Sequence, residues 1–260
     1  MRVVSWNLNS LKARLPRVLE LLEVHAPDVL LVQESKCSAD AWPHEALALA
    51  GYRAVDHSEG RWNGVAILVP EDTEVSDVQL GLPGEPNPAE ARWLEGTVRG
   101  VRFVSTYVVN GREVGHAMFQ QKLDFLDAAH LRLRELVAAG PVVAAGDWNI
   151  APADADVWDP SLFVGSTHVT PDERVRFEAL LELGFQDAWR TIHGDEVGFT
   201  YWDYRMGAFR RNMGMRIDAA LVSRDLTIRS AAVDTVFRRN NAAGDKPSDH
   251  APLVVTLDLP

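Results

Sequence analysis

Short apolar runs and helical patterns alternate along the whole chain. Val29–Gln33 reads VLLVQ and Pro141–Ala145 reads PVVAA, as expected for strands that are buried on both faces. Between Arg2–Leu8 and Val29–Gln33, apolar residues recur at helical spacing, at Leu15, Val18, Leu19 and Leu22. This alternation predicts packed α/β layers.

Turn residues and capping signals set the bounds of the predicted elements. Thr170 and Glu173 stand at the N-cap and capping-box positions of one helix. Helices are predicted from just after Ser10 to just before Pro27, near Trp42–Ala50, over Gln120–Ala138 and over Pro171–Leu183. Strands are predicted at Arg2–Leu8, Val29–Gln33, Gly64–Val69, Ala91–Val98, Arg102–Val109, Pro141–Ala145, Ile217–Val222, Thr227–Phe237 and Leu253–Leu257.

Nothing in the sequence divides these 260 residues into parts. Gly81–Pro88 is rich in Gly and Pro, but strands follow it and precede it, so we predict a surface loop and one domain over residues 1–260. No apolar run approaches the roughly 20 residues of a membrane span. The first residues read as a strand rather than a signal peptide, and the lone Cys37 suits a reducing compartment. We expect a soluble, cytoplasmic protein that does not bind membranes.

The charge of the chain is unevenly distributed. The net charge of -11 argues against a nucleic-acid partner, because phosphate contacts require positive charge. Between Tyr201 and Lys246, however, nine basic residues stand against five acidic ones. Charge alone therefore does not decide the partner.

Polar side chains stand at the ends of the predicted strands. Asn7 closes the first strand, Glu34 follows VLLVQ, and Asp147 and Asn149 follow PVVAA. Asp218 opens a later strand, and Asp249 and His250 immediately precede another. Acids at strand ends contribute little to folding, but at one end of a sheet they would form a cleft rich in oxygen ligands.

Such a ligand set suits Mg²⁺, with Mn²⁺ as a substitute. Zinc is disfavoured because Cys37 has no cysteine partner and no HExxH pattern is present, and no GxxxxGK[ST] or GxGxxG motif indicates a nucleotide cofactor. Carboxylates, Mg²⁺ and one histidine can together hydrolyse a phosphodiester. Taken singly, each residue also has an ordinary explanation. Asp147 and Asn149 are common turn formers, and Asp218 could pair with a nearby arginine.

Seven short sequence motifs resemble those of the exonuclease III/AP endonuclease family and occur in the order and spacing of that family. The resemblance covers essentially the whole chain, from Met1 to Leu257. The motifs are SWNLNS at Ser5–Ser10, QESKC at Gln33–Cys37, NGVAIL at Asn63–Leu68, GDWNIAP at Gly146–Pro152, YWDYR at Tyr201–Arg205, GMRID at Gly214–Asp218 and SDHAP at Ser248–Pro252. The resemblance implies a DNase I-like, four-layer α/β sandwich, in which two facing mixed sheets are flanked by helices.

The resemblance also assigns roles to individual residues. The implied catalytic residues are Tyr107, Asp147, Asn149, Asp218 and His250. The implied metal-site residues are Asn7, Glu34, Asp147, Asn149, Asp249 and His250. The implied substrate-binding residues are Lys36, Asn110, Arg112, Tyr201, Trp202, Arg205, Met215 and Ile217, and Arg210 and Arg211 are further candidates for contacts with the DNA backbone. Departures from the family pattern include the segment Tyr107–Asn110, which has valine where proline is common, and Asn9, where the animal branch has aspartate.

The implied function is Mg²⁺-dependent repair of double-stranded DNA by a monomer. The activities are cleavage of the phosphodiester 5′ to abasic sites, 3′→5′ degradation and removal of blocked 3′ ends. Two alternatives remain: a non-catalytic binding protein, and a phosphodiesterase of the same fold that acts on a sphingolipid, an inositol phosphate or a nucleotide. The complete set of site residues argues against the first, and the basic, aromatic stretch from Tyr201 to Arg216 argues against a lipid substrate.

Overall fold

Two six-stranded mixed sheets face each other in the computed structural model, which describes residues 1–259. Pro260, the last residue of the predicted domain, lies outside the described residues. The first sheet has the order β11-β12-β1-β2-β4-β3, with strands β1 (Arg2–Asn7), β2 (Val29–Gln33), β3 (Tyr52–His57), β4 (Val65–Pro70), β11 (Thr227–Val233) and β12 (Leu253–Asp258). The second has the order β5-β6-β7-β8-β10-β9, with strands β5 (Ser76–Leu80), β6 (Trp93–Val98), β7 (Val101–Tyr107), β8 (Val142–Asp147), β9 (Phe185–Asp187) and β10 (Asp218–Ser223).

Helices cover the outer faces of both sheets, which confirms the predicted four-layer sandwich. Apolar residues from both sheets, such as Ile67 and Phe103, form the central core. Leu21 and Leu47 pack on the outside of the first sheet, and Phe125 and Phe177 pack on the outside of the second. The helices are α1 (Leu11–His25), α2 (His44–Leu49), α3 (Ala117–Ala139), α4 (Pro171–Glu182) and α5 (Ala188–His193). No helix among residues 1–259 is both long and apolar enough to span a membrane.

The sequence pattern predicted most of the buried elements and missed several short elements and edge strands. Thr170 and Glu173 form the predicted capping box of α4. Strands β3, β5 and β9 and helix α5 were not predicted, because β3 and β5 are edge strands with polar, partly or fully exposed residues, and β9 has only three residues. The predicted strand Thr227–Phe237 was too long. It ends at Val233, since the Asp234 side chain caps a 3₁₀ turn at Thr235–Arg238.

Gly146 allows the two neighbouring strands β7 and β8 to approach each other next to Asp147. A Cβ atom at this position would lie 1.9 Å from the carbonyl oxygen of Thr106. Because backbone must move to make room, we expect Gly146→Ala to lower the free energy of unfolding by about 3 kcal/mol, measured by urea denaturation. Gly100→Ala is the control, since nothing lies within 4 Å of its Cβ and only its φ of +80° is unfavourable. Equal losses in both variants would contradict the steric explanation.

Candidate active site

Strand ends from both sheets meet at one edge of the sandwich. In the first sheet β1 and β2 are parallel neighbours with Asn7 opposite Gln33, so Asn7 and Glu34 emerge side by side. In the second sheet Asp218, at the start of β10, lies directly opposite Asp147, at the end of β8. His250 lies just before β12, which pairs with β1. The topology therefore places the predicted polar residues around one cleft.

This cleft contains a cavity of about 230 Å³ whose walls are mainly polar. Eleven of the residues predicted from the sequence line it, together with Asn9 and His168. The predicted residues in its wall are Glu34, Lys36, Tyr107, Asn110, Asp147, Asn149, Tyr201, Met215, Ile217, Asp249 and His250.

Several residues around the cavity have left-handed backbone conformations. Asn9, Glu34, Lys36, Asn149 and His168 have φ between 47° and 78°. Non-glycine residues rarely adopt such angles, which cost of order 1–3 kcal/mol each and concentrate at functional sites. At Glu34 and Asn149 the chain turns sharply soon after a buried strand ends. These turns place both residues in the wall of the cavity.

Glu34, Asp147 and His250 can offer ligand atoms to one cation. One atom from each lies within 4.8 Å of the others. The buried amide of Asn7 donates to Glu34 Oε1 at 2.7 Å and to Asp147 Oδ2 at 2.9 Å, so it holds the two carboxylates together. Asn7 thus lies behind the carboxylates, outside the cavity wall.

The electrostatic environment of Asp147 also fits a cation site. Burial raises the pKa of Asp147 to about 8; the positive charge of His250 opposes this shift, and the charges of Asp218 and Glu34 add to it. Burial and the charge of Glu34 likewise raise the pKa of the Tyr107 hydroxyl. Excess negative charge of this kind is neutralised either by a proton or by a divalent ion. The oxygen atoms of this site fit Mg²⁺ or Mn²⁺.

Asp218 orients the imidazole of His250. Its Oδ2 lies 2.8 Å from Nδ1, and Nε2 on the other side of the ring lies 3.8 Å from Asp147 Oδ2. Burial by itself would lower the pKa of His250, but the charge of Asp218 and its hydrogen bond raise that pKa to about 10. The ring of Tyr201 lies 5.0 Å from the imidazole, centroid to centroid. His250 is therefore a fixed, protonated group facing Asp147.

Asp249 belongs to a second group of polar residues at the rim. Asn9 Nδ2 donates to Asp249 Oδ1 at 3.0 Å, and Lys36 Nζ donates to Asn9 Oδ1 at 2.6 Å. Lys36 also pairs with Glu34 Oε2 at 2.7 Å. Lys36 thus links this group to the carboxylates and places a positive charge at the cavity mouth.

The side-chain amides of Asn110 and Asn149 form another part of the cavity wall. Asn110 Nδ2 donates to Asn149 Oδ1 at 3.2 Å, and Asn149 Nδ2 donates to the carbonyl of Val108 at 2.8 Å. The backbone N–H of Asn149 donates to Asp147 Oδ1 at 2.9 Å. These contacts fix the amide of Asn149 next to Asp147, where it can donate to an oxyanion.

The predicted substrate-binding residues do not all face the cavity. Tyr201 and Met215 also border a second, more apolar cavity of about 460 Å³, whose wall includes Arg205. Trp202 is only 2% exposed and packs against Phe199 and Phe209, so the structure does not bring it to either cavity. Arg112, Arg210 and Arg211 are exposed.

Sequence reasoning gave too little weight to two residues of the wall. Asn9 was considered only as a departure from the family pattern, and its position two residues after Asn7 was the available signal. His168, from its sequence context alone, is expected to be a surface or packing residue. It is buried, lines the cavity and lies beside the Asn149 carbonyl, yet nothing in its sequence context indicates this.

Comparisons with known proteins show the family of the chain. Residues 4–250 match the Endonuclease/Exonuclease/phosphatase family. Exodeoxyribonuclease III of Haemophilus influenzae is 31% identical over 97% of this chain and 98% of its own length.

Solved structures are similar over the full length. The 3′-5′ exonuclease NExo from Neisseria meningitidis has a TM-score of 0.94 at 38% identity, covering 99% of this chain and 100% of that one. The 3′ phosphatase NExo from Neisseria bound to a product DNA hairpin also has a TM-score of 0.94, at 36% identity with 99% of both chains covered. An AP endonuclease from Archaeoglobus fulgidus has a TM-score of 0.93 at 33% identity, with 100% of both chains covered.

Proposed function

The chain belongs to the endonuclease/exonuclease/phosphatase family and is a phosphodiester-hydrolysing DNA repair nuclease, and we propose that its activity depends on Mg²⁺. The observation that carries this proposal is the convergence of Glu34, Asp147 and His250 within 4.8 Å. We propose that Glu34 and Asp147 hold the ion, with Asn7, Asn149 and Asp249 as the remaining ligands of the predicted metal site and His250 beside the ion as a protonated imidazole that does not ligate it. The ion would neutralise phosphate charge and favour ionisation of the attacking water.

The residues of the chain supply the remaining chemistry. Asp147 accepts the proton of the attacking water, since its buried carboxylate faces the cavity. His250 keeps its proton, which Asp218 stabilises, and donates a hydrogen bond to the phosphate. The amide of Asn149 and the hydroxyl of Tyr107 stabilise the negative charge that develops on the phosphate oxygens.

The proposed substrates are double-stranded DNA with an abasic site or a blocked 3′ end. Proteins of similar structure act as a 3′-5′ exonuclease, a 3′ phosphatase bound to DNA and an AP endonuclease, which supports all three activities. Tyr201, Met215 and Ile217 would contact the deoxyribose, because they form the apolar part of the cavity wall. Lys36 and Asn110 would contact the adjoining phosphates from the same wall, with Arg112, Arg205, Arg210 and Arg211 on the exposed surface.

The oligomeric state, the cellular location and the role of Trp202 belong to the same proposal. We propose that the protein acts as a monomer in the cytoplasm. The buried, unpaired Cys37 is consistent with a reducing compartment. Trp202 remains a predicted substrate-binding residue, although its indole is enclosed in the protein.

One assay tests the proposed activities together. Three labelled duplexes would be incubated with and without Mg²⁺: one with a central tetrahydrofuran abasic analogue, one with a 3′-phosphate at a nick and one intact. We expect Mg²⁺-dependent incision 5′ to the lesion, release of phosphate and stepwise shortening from 3′ ends. Shortening or phosphate release without incision would support the proposed nuclease activity at 3′ ends and contradict the proposed cleavage at abasic sites. No reaction of any duplex, with folded protein, would contradict the proposal and favour a non-catalytic binding protein.

DNA binding should depend strongly on salt. The protein is acidic overall, so binding requires local contacts between arginines and phosphates. Raising the salt from about 50 to about 200 mM should weaken binding about 10- to 100-fold, as roughly three phosphate contacts would produce, in fluorescence anisotropy with a catalytically inactive variant. Arg211→Gln should reduce the slope of log affinity against log salt by about 1. A slope near zero would contradict binding through phosphates.

A further inference from the structure

A lysine is completely enclosed behind the amide of Asn149. The side chain of Lys122, on α3, is 0% exposed, and so is that of its ion-pair partner Glu173, on α4. Burial lowers the pKa of Lys122, and the negative charge of Glu173 opposes this shift. Burying an ion pair is unfavourable compared with packing apolar side chains in the same space. The lysine therefore calls for an explanation other than stability.

The ammonium of Lys122 binds acceptors from three separate segments. Its Nζ donates to the carbonyl of Asn149 at 2.6 Å and to the Glu173 carboxylate. Longer contacts of 3.4 Å reach the carbonyl of Asn110 and Thr167 Oγ1. Asn110 follows β7, Asn149 follows β8 and Thr167 precedes α4. One buried group thus joins two loops that carry amides of the cavity wall to a helix behind them.

Glu173 anchors this arrangement to α4. Its carboxylate accepts from the backbone N–H groups of His168 at 2.8 Å and Thr170 at 3.0 Å. The loop above Lys122 is also tightly packed, because a Cβ on Gly111 would lie 3.2 Å from Lys122 Cδ and 2.9 Å from Thr167 Oγ1. Contacts therefore fix both the ammonium and the aliphatic part of the Lys122 side chain.

Asn149 needs such support. Its φ of 53° is unfavourable for a non-glycine residue, and its carbonyl accepts from Lys122 while lying within hydrogen-bond distance of His168 Nδ1. Without these contacts the backbone turn at Asn149 could relax, which would shift its side-chain amide relative to Asp147. The amide also bonds to Asn110, which is itself tied to the ammonium.

We propose that Lys122 is a positioning residue for phosphodiester cleavage, acting through the backbone carbonyls of Asn149 and Asn110. It touches no substrate. It holds the Asn149 amide at the place where charge develops on the phosphate oxygens. This inference rests on the proposed function, since it assumes that Asn149 donates to the phosphate during the reaction.

The first test is the kinetic effect of Lys122→Met, which fills the same space without the charge or the donors. We expect kcat on the most rapidly cleaved of the three duplexes to fall about 100-fold, as a misplaced catalytic group does, while KM changes less than about threefold. Lys122→Arg, which keeps the charge, should recover most of kcat. The matched control is Arg17→Met, which removes another enclosed cation, paired with Glu20 on α1, and should lower the melting temperature without changing kcat.

A double-mutant cycle tests whether Lys122 acts through Asn149. Asn149→Gly removes the amide and tolerates the left-handed φ. If the proposal is right, Lys122→Met has little further effect on kcat in the Asn149→Gly background. Multiplied losses, or a wild-type kcat for Lys122→Met, would overturn it. If Lys122→Met does not fold, Lys122→Gln carries both tests.

The outcomes separate this inference from the proposed function. Wild-type protein that cleaves none of the DNA substrates contradicts the proposed function. Active wild-type protein whose Lys122 and Asn149 variants lose activity independently contradicts only the positioning role.

Discussion

Asp147→Asn is expected to reduce turnover by about 10³- to 10⁴-fold, which corresponds to the loss of a general base together with part of a metal site. The substitution preserves the shape of the side chain and the hydrogen bond that Oδ1 accepts from the N–H of Asn149. It removes the carboxylate that faces His250 and accepts a hydrogen bond from the side-chain amide of Asn7. Neither a proton acceptor nor an anionic ligand remains at this position.

The protein should nevertheless stay folded. Burial and neighbouring acids raise the pKa of Asp147, so its ionised form is destabilised in the native state. Replacing it with a neutral amide should leave the free energy of unfolding unchanged or slightly increased. Single-turnover cleavage would be measured beside circular dichroism and DNA binding. A rate within about tenfold of wild type would remove Asp147 from its assigned role.

Chelation of metal with EDTA is expected to stop cleavage of every duplex, and excess Mg²⁺ should restore it. Without a cation at Glu34 and Asp147, nothing there neutralises the phosphate charge or favours ionisation of the attacking water. Mn²⁺ should also restore activity, because the same oxygen ligands suit both ions. Cleavage that persists in EDTA after extensive dialysis would contradict the metal requirement.

A second measurement locates the ion without relying on activity. Mg²⁺ at about 100 times its dissociation constant should stabilise the wild-type protein by about 2.7 kcal/mol, seen as a rise in the melting temperature. Glu34→Gln should remove most of that rise, since it takes one carboxylate from the cluster. The matched control is Glu135→Gln, an exposed carboxylate that pairs with Arg132. Equal stabilisation of the wild type and both variants would place the ion elsewhere.

Local patterns predicted most of the buried framework and the polar residues at the ends of its strands. Runs such as Val29–Gln33 are strands because they are buried on both faces, and the bounds of this strand agree with the prediction. Polar residues that directly follow such strands were identifiable for the same reason, since a side chain like Glu34 has no role in the core. Their chemical identities indicated an oxygen-rich cation site before any fold was known.

Only the tertiary structure determined how these residues combine. Asn7 and Asp147 are 140 positions apart and meet because two sheets pack face to face, which no local pattern encodes. The structure placed Trp202 in the core, brought His168 into the cavity wall and enclosed Lys122 behind Asn149. Edge strands such as Ser76–Leu80 were missed because they bury too little apolar surface to show a period. Local sequence patterns thus predict which elements are buried and which polar residues stand at their ends, because hydrophobic burial leaves a local, periodic pattern. Packing of the sheets decided which groups touch, because contacts between distant segments depend on the whole core.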